Sequence, residues 1–200
     1  HVEGVSILDS VDILYNIGGS GGGINFHTAQ GEINNSRISH NQGTYNSPGL
    51  YVFGSTWGLT NGDWESPGLI LNHVEITDNS PGDNQVLIIS SVDGWSVNRV
   101  ELNNVTIVAD PELPGLLSGI RIEGAIANTL DIHNSIIGAF PSGGIYTDGV
   151  EDLSIDYSNI AGGESSITIN PENLTYENNI DEDPQFVDSE NGDYNLLPSS

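Results

Sequence analysis

The chain has no cysteine and no methionine among its 200 residues, and it has no lysine. Without cysteine there are no disulfide staples, no thiolate metal sites and no cysteine nucleophile. Arg37, Arg99 and Arg121 face 28 Asp and Glu, which gives a net charge of −25. Such a surface repels DNA, RNA and anionic lipid, because phosphate binding needs clustered cations. Nucleic-acid partners are excluded on this ground. No uncharged apolar run approaches the roughly 18 residues that a membrane helix needs, so no membrane insertion is expected.

High net charge alone would suggest disorder. Here 36% of residues are hydrophobic and only 16% are charged. Isoleucine, valine, glycine and asparagine dominate, which favours short strands joined by tight turns.

A nine-residue pattern recurs along the chain. It reads aliphatic, two polar residues, Ser or Val, any residue, Ile, two variable positions and often Asn. Copies start at Leu8, Ile33, Leu71, Leu102, Ile132 and Ile155, with a shortened seventh over 176–183. The pattern's isoleucine falls at Ile13, Ile38, Ile76, Ile107, Ile137, Ile160 and Ile180. A second short strand precedes most copies, as in Gly23-Ile24-Asn25-Phe26 and Gly119-Ile120-Arg121-Ile122. One such unit cannot bury its own apolar face, whereas stacking about seven of them buries a continuous column. No amphipathic helical stretch lies between the strands, which argues against βαβ units. The expectation is an all-β chain: a single right-handed parallel β-helix solenoid of about seven coils. The whole chain, 1–200, reads as one such domain, with a body over 1–180 and an acidic closing segment over 181–200. Val5–Asn16 already reads as a mid-solenoid coil, so the chain is expected to be a fragment of a longer one.

The polar pairs Asn34/Asn35, Asn72/His73, Asn103/Asn104 and His133/Asn134 recur at one corner of successive coils. Asparagine tolerates the left-handed turn conformation, and stacked amides can hydrogen-bond from coil to coil. Three insertions interrupt the repeat, over 54–68, 90–98 and 110–118, and the first two hold all three tryptophans. Trp57, Trp64 and Trp95 are therefore the candidate carbohydrate-binding residues, since aromatics beside Asp and Asn suit stacking on sugar rings. Asp181, Asp183, Asp188, Glu190 and Asp193 form the candidate metal set. Calcium is the possible cofactor, because hard cations take several oxygen ligands. Asp148, Asp152 and Asp156 form a second set whose carboxylates could converge from neighbouring coils.

The C-terminal residues carry a resemblance. Asn178-Asn179-Ile180, then Asp183-Pro184-Gln185-Phe186-Val187-Asp188, then Asn191-Gly192-Asp193-Tyr194-Asn195-Leu196-Leu197-Pro198-Ser199-Ser200, resembles the end of secreted and cell-surface bacterial right-handed parallel β-helix repeat proteins. The resemblance is close over about residues 174–200 and generic elsewhere. It implies an extracellular or cell-surface location, and a closing segment at the end of a solenoid. Its members include adhesin-like surface proteins and polysaccharide-active enzymes, so it is nearly silent on activity.

Thr147-Asp148-Gly149-Val150 with Gly163-Glu164-Ser165-Ser166-Ile167 is similar to the acidic stretch of polygalacturonases. Those hydrolases pair acidic residues across the scissile bond. Here one carboxylate of the doublet is missing, as are the family's other motifs, so the roles do not carry over. A polysaccharide lyase needs a cationic base, and three arginines leave little for one. The sequence therefore points to a non-catalytic extracellular module of adhesin, stalk or assembly type. The alternative is a carbohydrate-binding or polysaccharide-degrading β-helix, of glycoside hydrolase or polysaccharide lyase type. The expected partners are a glycan or cell-surface partner and, through the solenoid ends, a second copy.

Overall fold

The computed structural model describes residues 5–19, 21–27, 30–44, 47–54, 68–79, 85–91, 99–108, 118–123, 128–138, 140, 143–168 and 171–198. The protein is all-β. Its only helical elements among the described residues are two single 3₁₀ turns, Gly163–Ser166 and Ser189–Asn191.

The chain alternates between two parallel sheets. The longer sheet runs in the order Val5–Asp9, Gln30–Ser39, Leu69–Thr77, Arg99–Val108, Asn128–His133, Val150–Asp156 and Asn173–Glu177. The shorter sheet runs in chain order from Ile24–His27 through Leu50–Gly54, Gln85–Ser91, Ser118–Glu123 and Ile145–Thr147 to Ile167–Thr168. Each strand thus pairs with the equivalent strand of the next repeat, as the repeat spacing requires.

The register aligns the pattern residues. Leu8, Ile33, Leu71, Leu102, Ile132, Ile155 and Tyr176 stand opposite one another in one column. Ile13, Ile38, Ile76, Ile107, Ile137 and Ile160 form a second. The shorter sheet supplies a third, from Ile24 through Leu50, Leu87, Ile120 and Ile145 to Ile167. Buried members of all three join one hydrophobic cluster. Each fully buried Ile or Leu contributes about 2 kcal/mol. A one-residue slip would turn every one of them outward, so the pattern fixes the register.

Between the first two columns the long strands bend. The bending residue is in the left-handed region in all seven repeats: Ser10, Asn35, His73, Asn104, Asn134, Tyr157 and Asn178, with φ between 48° and 56°. The residue after the bend serves one of two uses. Val74 and Val105 bury their side chains in the core. Ser135, Ser158 and Asn179 instead accept the main-chain N–H of Val105, Ser135 and Ser158, at 2.9–3.0 Å. Both uses cap an inward position, which explains the Ser-or-Val rule in the repeat.

A second bend holds an asparagine ladder that is fully buried at Asn41 and Asn79 and exposed at its Asn16 end. Asn41 Nδ2 donates to Asn79 Oδ1 at 3.0 Å, and Asn16 Nδ2 donates to Asn41 Oδ1 at 3.0 Å. Asn41 and Asn79 Nδ2 also donate to the carbonyls of Ile13 and Ile38, each at 2.8 Å. Tight glycines complete this corner. A Cβ on Gly49 would lie 2.8 Å from the Val86 carbonyl and 2.9 Å from Ile76 Cγ2.

The last part of the chain departs from the sequence reading. Ile180 bridges Asn159 rather than Ile160, so it sits in an outward place and is 52% exposed. The seventh repeat thus lacks the inward isoleucine expected at 180. The residues that follow form an antiparallel hairpin of Phe186–Asp188 and Asp193–Leu196. This hairpin doubles back onto the side of the long sheet. Buried Tyr194 donates its hydroxyl to Asp78, 116 residues upstream in the third repeat, and packs edge-on against Phe186 at 5.1 Å.

Candidate functional site

The outward face of the long sheet gathers the ionisable groups. Arg99 opens its strand and lies between two carboxylates. Its Nε is 2.9 Å from Asp131 Oδ2 and 3.1 Å from Glu101 Oε1, and its Nη2 is 2.9 Å from Asp131 Oδ2. Glu101 and Asp131 are register partners on adjacent strands. The guanidinium between them offsets the repulsion of two carboxylates one strand spacing apart.

Two residues further along the same strands, Asn34, Asn72 and Asn103 form an amide chain. Asn72 Nδ2 donates to Asn34 Oδ1 at 2.8 Å, and Asn103 Nδ2 donates to Asn72 Oδ1 at 3.0 Å. At the next strand His133 takes the asparagine place, and its Nδ1 bonds Asp156 on the strand beyond. That bond orients the imidazole and leaves Nε2 as its other polar atom. Asn173 holds Asp152 in the same way, with Nδ2 at 2.8 Å from Oδ1. The face is a rigid polar array, because its spacing is set by the backbone ladder.

The sequence candidates fall as follows. Trp57, Trp64 and Trp95 lie outside the described residues. The acids of 181–193 are used locally. Asp181 accepts the Gly162 N–H at 2.8 Å, and Asp183 accepts that of Gln185 at 3.0 Å. Asp188 binds the Asn191 amide at 2.9 and 3.0 Å, and Asp193 binds that of Asn195 at 2.7 Å. Glu190 is exposed in the turn between them. No group of three or more His, Asp or Glu among the described residues has the geometry of a metal site.

Asp148, Asp152 and Asp156 do not converge. Asp152 and Asp156 are four positions apart on one strand, which is about 13 Å. Asp152 stands opposite Thr129 and Asn173, and Asp156 opposite His133 and Glu177. Asp148 and Glu164, the pair similar to the hydrolase stretch, flank opposite ends of the paired strands Ile145–Thr147 and Ile167–Thr168. The parallel register keeps them from acting on one bond.

Of the three arginines, Arg99 is held as described, and Arg37 lies 3.7 Å from Asp12. The Arg121 guanidinium lies 4.7 Å above the Tyr146 ring. The pairing of His133 with Asp156 was not legible beforehand. The recurring polar pair flagged the column, but only the register showed which side chains meet.

Partial burial pushes Glu75 above its ordinary value of 4.5; Arg37 opposes the rise, and Asp193 and Asp12 add to it. The folded state therefore binds more protons than the unfolded one between the two pKa values. This contribution favours folding below pH ~4.5 and is lost as pH climbs through the raised value. At neutral pH a constant penalty remains. Glu75→Gln is expected to raise the melting temperature at pH 7, with a gain that fades toward pH 4. A melt series in matched buffers checks it; a loss of stability at pH 7 would show that the Arg37 attraction outweighs burial.

No known protein family, curated protein or solved structure matches this chain.

Proposed function

We propose that the chain is a right-handed parallel β-helix of about seven coils, serving as a non-catalytic module of a secreted or cell-surface protein. The carrying observation is the in-register pairing of every repeat with its neighbours, with a left-handed bend at the same place each time. A stack of this kind is stiff and grows by about 4.8 Å per repeat, which suits a spacer, stalk or assembly subunit. The ending similar to bacterial surface proteins agrees with an extracellular setting.

The test is an activity screen. The protein is incubated with neutral and acidic polysaccharides and assayed for new reducing ends and for unsaturated products. No turnover is the expected result. Turnover that disappears on His133→Ala or Asp131→Asn would replace this reading with an enzymatic one. Self-association through Val5–Asp9 or Asn173–Glu177, the outermost strands of the long sheet, belongs to the same proposal. Unpaired strand edges template pairing. Light scattering at low and high salt measures it, and a monomer at every salt concentration removes it.

A body at −25 repels itself, so stability is expected to rise with salt. Asp181, Asp183, Asp188 and Asp193 already accept local donors, so NaCl and CaCl₂ are expected to act equally at matched ionic strength. A specific calcium site would add about 2.7 kcal/mol at a hundredfold excess over its dissociation constant. Thermal melts in NaCl, CaCl₂ and EDTA separate the two outcomes. An extra gain in CaCl₂ that EDTA abolishes would make this segment a calcium site.

A further inference from the structure

Six of the seven left-handed bends carry Ser, Asn or His, and the other carries Tyr157, at φ 49°. Asparagine, which dominates the column, tolerates this conformation through its short polar side chain; a bulky aromatic pays steric strain there. Burial could offset that strain, but Tyr157 is 65% exposed. Nor do contacts offset it, since its ring and hydroxyl have no partner among the described residues. Tyr15, another exposed tyrosine in the left-handed region, differs: its ring packs on His40 at 4.9 Å. Among the described residues no hydrogen bond or ring contact offsets that strain, and an exposed residue strained in this way points to a role outside the fold.

Its surroundings say what. Asn134 and Asn178 flank it in the column, one strand spacing to each side, and both are exposed. Asp156 precedes it and holds His133, whose Nε2 is the other polar atom of that ring. An exposed aromatic residue with an asparagine beside it on each neighbouring strand, and an oriented imidazole–carboxylate pair one position before it, has the components that recognise a sugar ring. The plane takes the C–H face, and the polar groups take the hydroxyls. Asp152, Asp156 and Glu177 on the same sheet, in a chain of net charge −25, repel polyanions, so the ligand is uncharged.

We propose that Tyr157, with Asn134, Asn178, His133 and Asp156, forms a binding site for a neutral glycan chain. The site goes beyond the module reading and needs no catalysis.

Affinity electrophoresis through gels containing β-glucan, xylan, galactomannan or polygalacturonate tests it. Wild type is expected to be retarded by at least one neutral polysaccharide and not by polygalacturonate. Tyr157→Asn is expected to bind about five- to tenfold more weakly. The same variant should melt about 2–4 °C higher, because asparagine relieves the strained bend. Tyr157→Phe keeps the plane and should keep the binding. No retardation in any neutral gel, retardation by polygalacturonate alone, or undiminished retardation of Tyr157→Asn overturns the proposal. The melt separates a binding defect from a folding defect. Reducing-end assays on the same samples separate binding from turnover, so the site and the non-catalytic reading fail independently.

Discussion

Asn41→Asp is expected to destabilise the protein by about 3–5 kcal/mol at pH 7. The substitution keeps the shape and changes one atom from donor to acceptor. Asn41 is fully buried. Its Oδ1 accepts from the Asn16 main chain at 2.9 Å and side chain at 3.0 Å. Its Nδ2 donates to the Ile13 carbonyl at 2.8 Å and to Asn79 Oδ1 at 3.0 Å. In the aspartate those last two contacts become oxygen against oxygen in a buried corner. The folded state answers by keeping the new carboxyl protonated, so the loss is expected to shrink as pH falls toward 4. Urea unfolding followed by circular dichroism at pH 7 and pH 4.5 measures both. A cost below about 1 kcal/mol at pH 7 would mean that the ladder is incidental to stability.

The second large effect concerns space. Gly49→Ala is expected to cost about 2–3 kcal/mol, because the new methyl meets a backbone carbonyl at 2.8 Å and a core isoleucine at 2.9 Å. Backbone cannot move aside as the end of a flexible side chain can. Gly138→Ala provides the control. Its added Cβ would lie 3.5 Å from its nearest neighbours, which is ordinary contact. That substitution is expected to be neutral or to stabilise by about 0.5 kcal/mol, through the unfolded chain. Opposite signs for the two variants, read from the same unfolding curves, tie the effect to the tight corner. Equal costs would assign it to glycine content in general.

Both experiments probe a corner that the repeat only hinted at. The pattern's last place is often asparagine, yet the sequence reading put the amide ladder at the earlier polar pair. That ladder exists, but it lies on the half-buried outer face, at Asn34, Asn72 and Asn103. The other runs from exposed Asn16 into buried Asn41 and Asn79, with Tyr15, His40 and Asp78 in the left-handed bend just before it. Both places show polar residues at repeat spacing. Which of them turns inward depends on how the backbone bends, and spacing alone does not carry that.

The sequence by itself determined the ladder. A recurring nine-residue pattern with one aliphatic and one isoleucine place makes sense only if equivalent residues stack, because each repeat alone leaves its apolar face in water. Parallel pairing, the core columns and the left-handed bends follow from that local rule. Tertiary structure alone decided what happens between residues the period does not relate. It placed His133 on Asp156, kept Asp148 away from Glu164, turned Ile180 outward, and folded the C-terminal hairpin back so that Tyr194 reaches Asp78. The physical reason is range. Periodic burial is written into every repeat and is read locally, whereas a contact across 116 residues depends on where the whole stack has already put its surface.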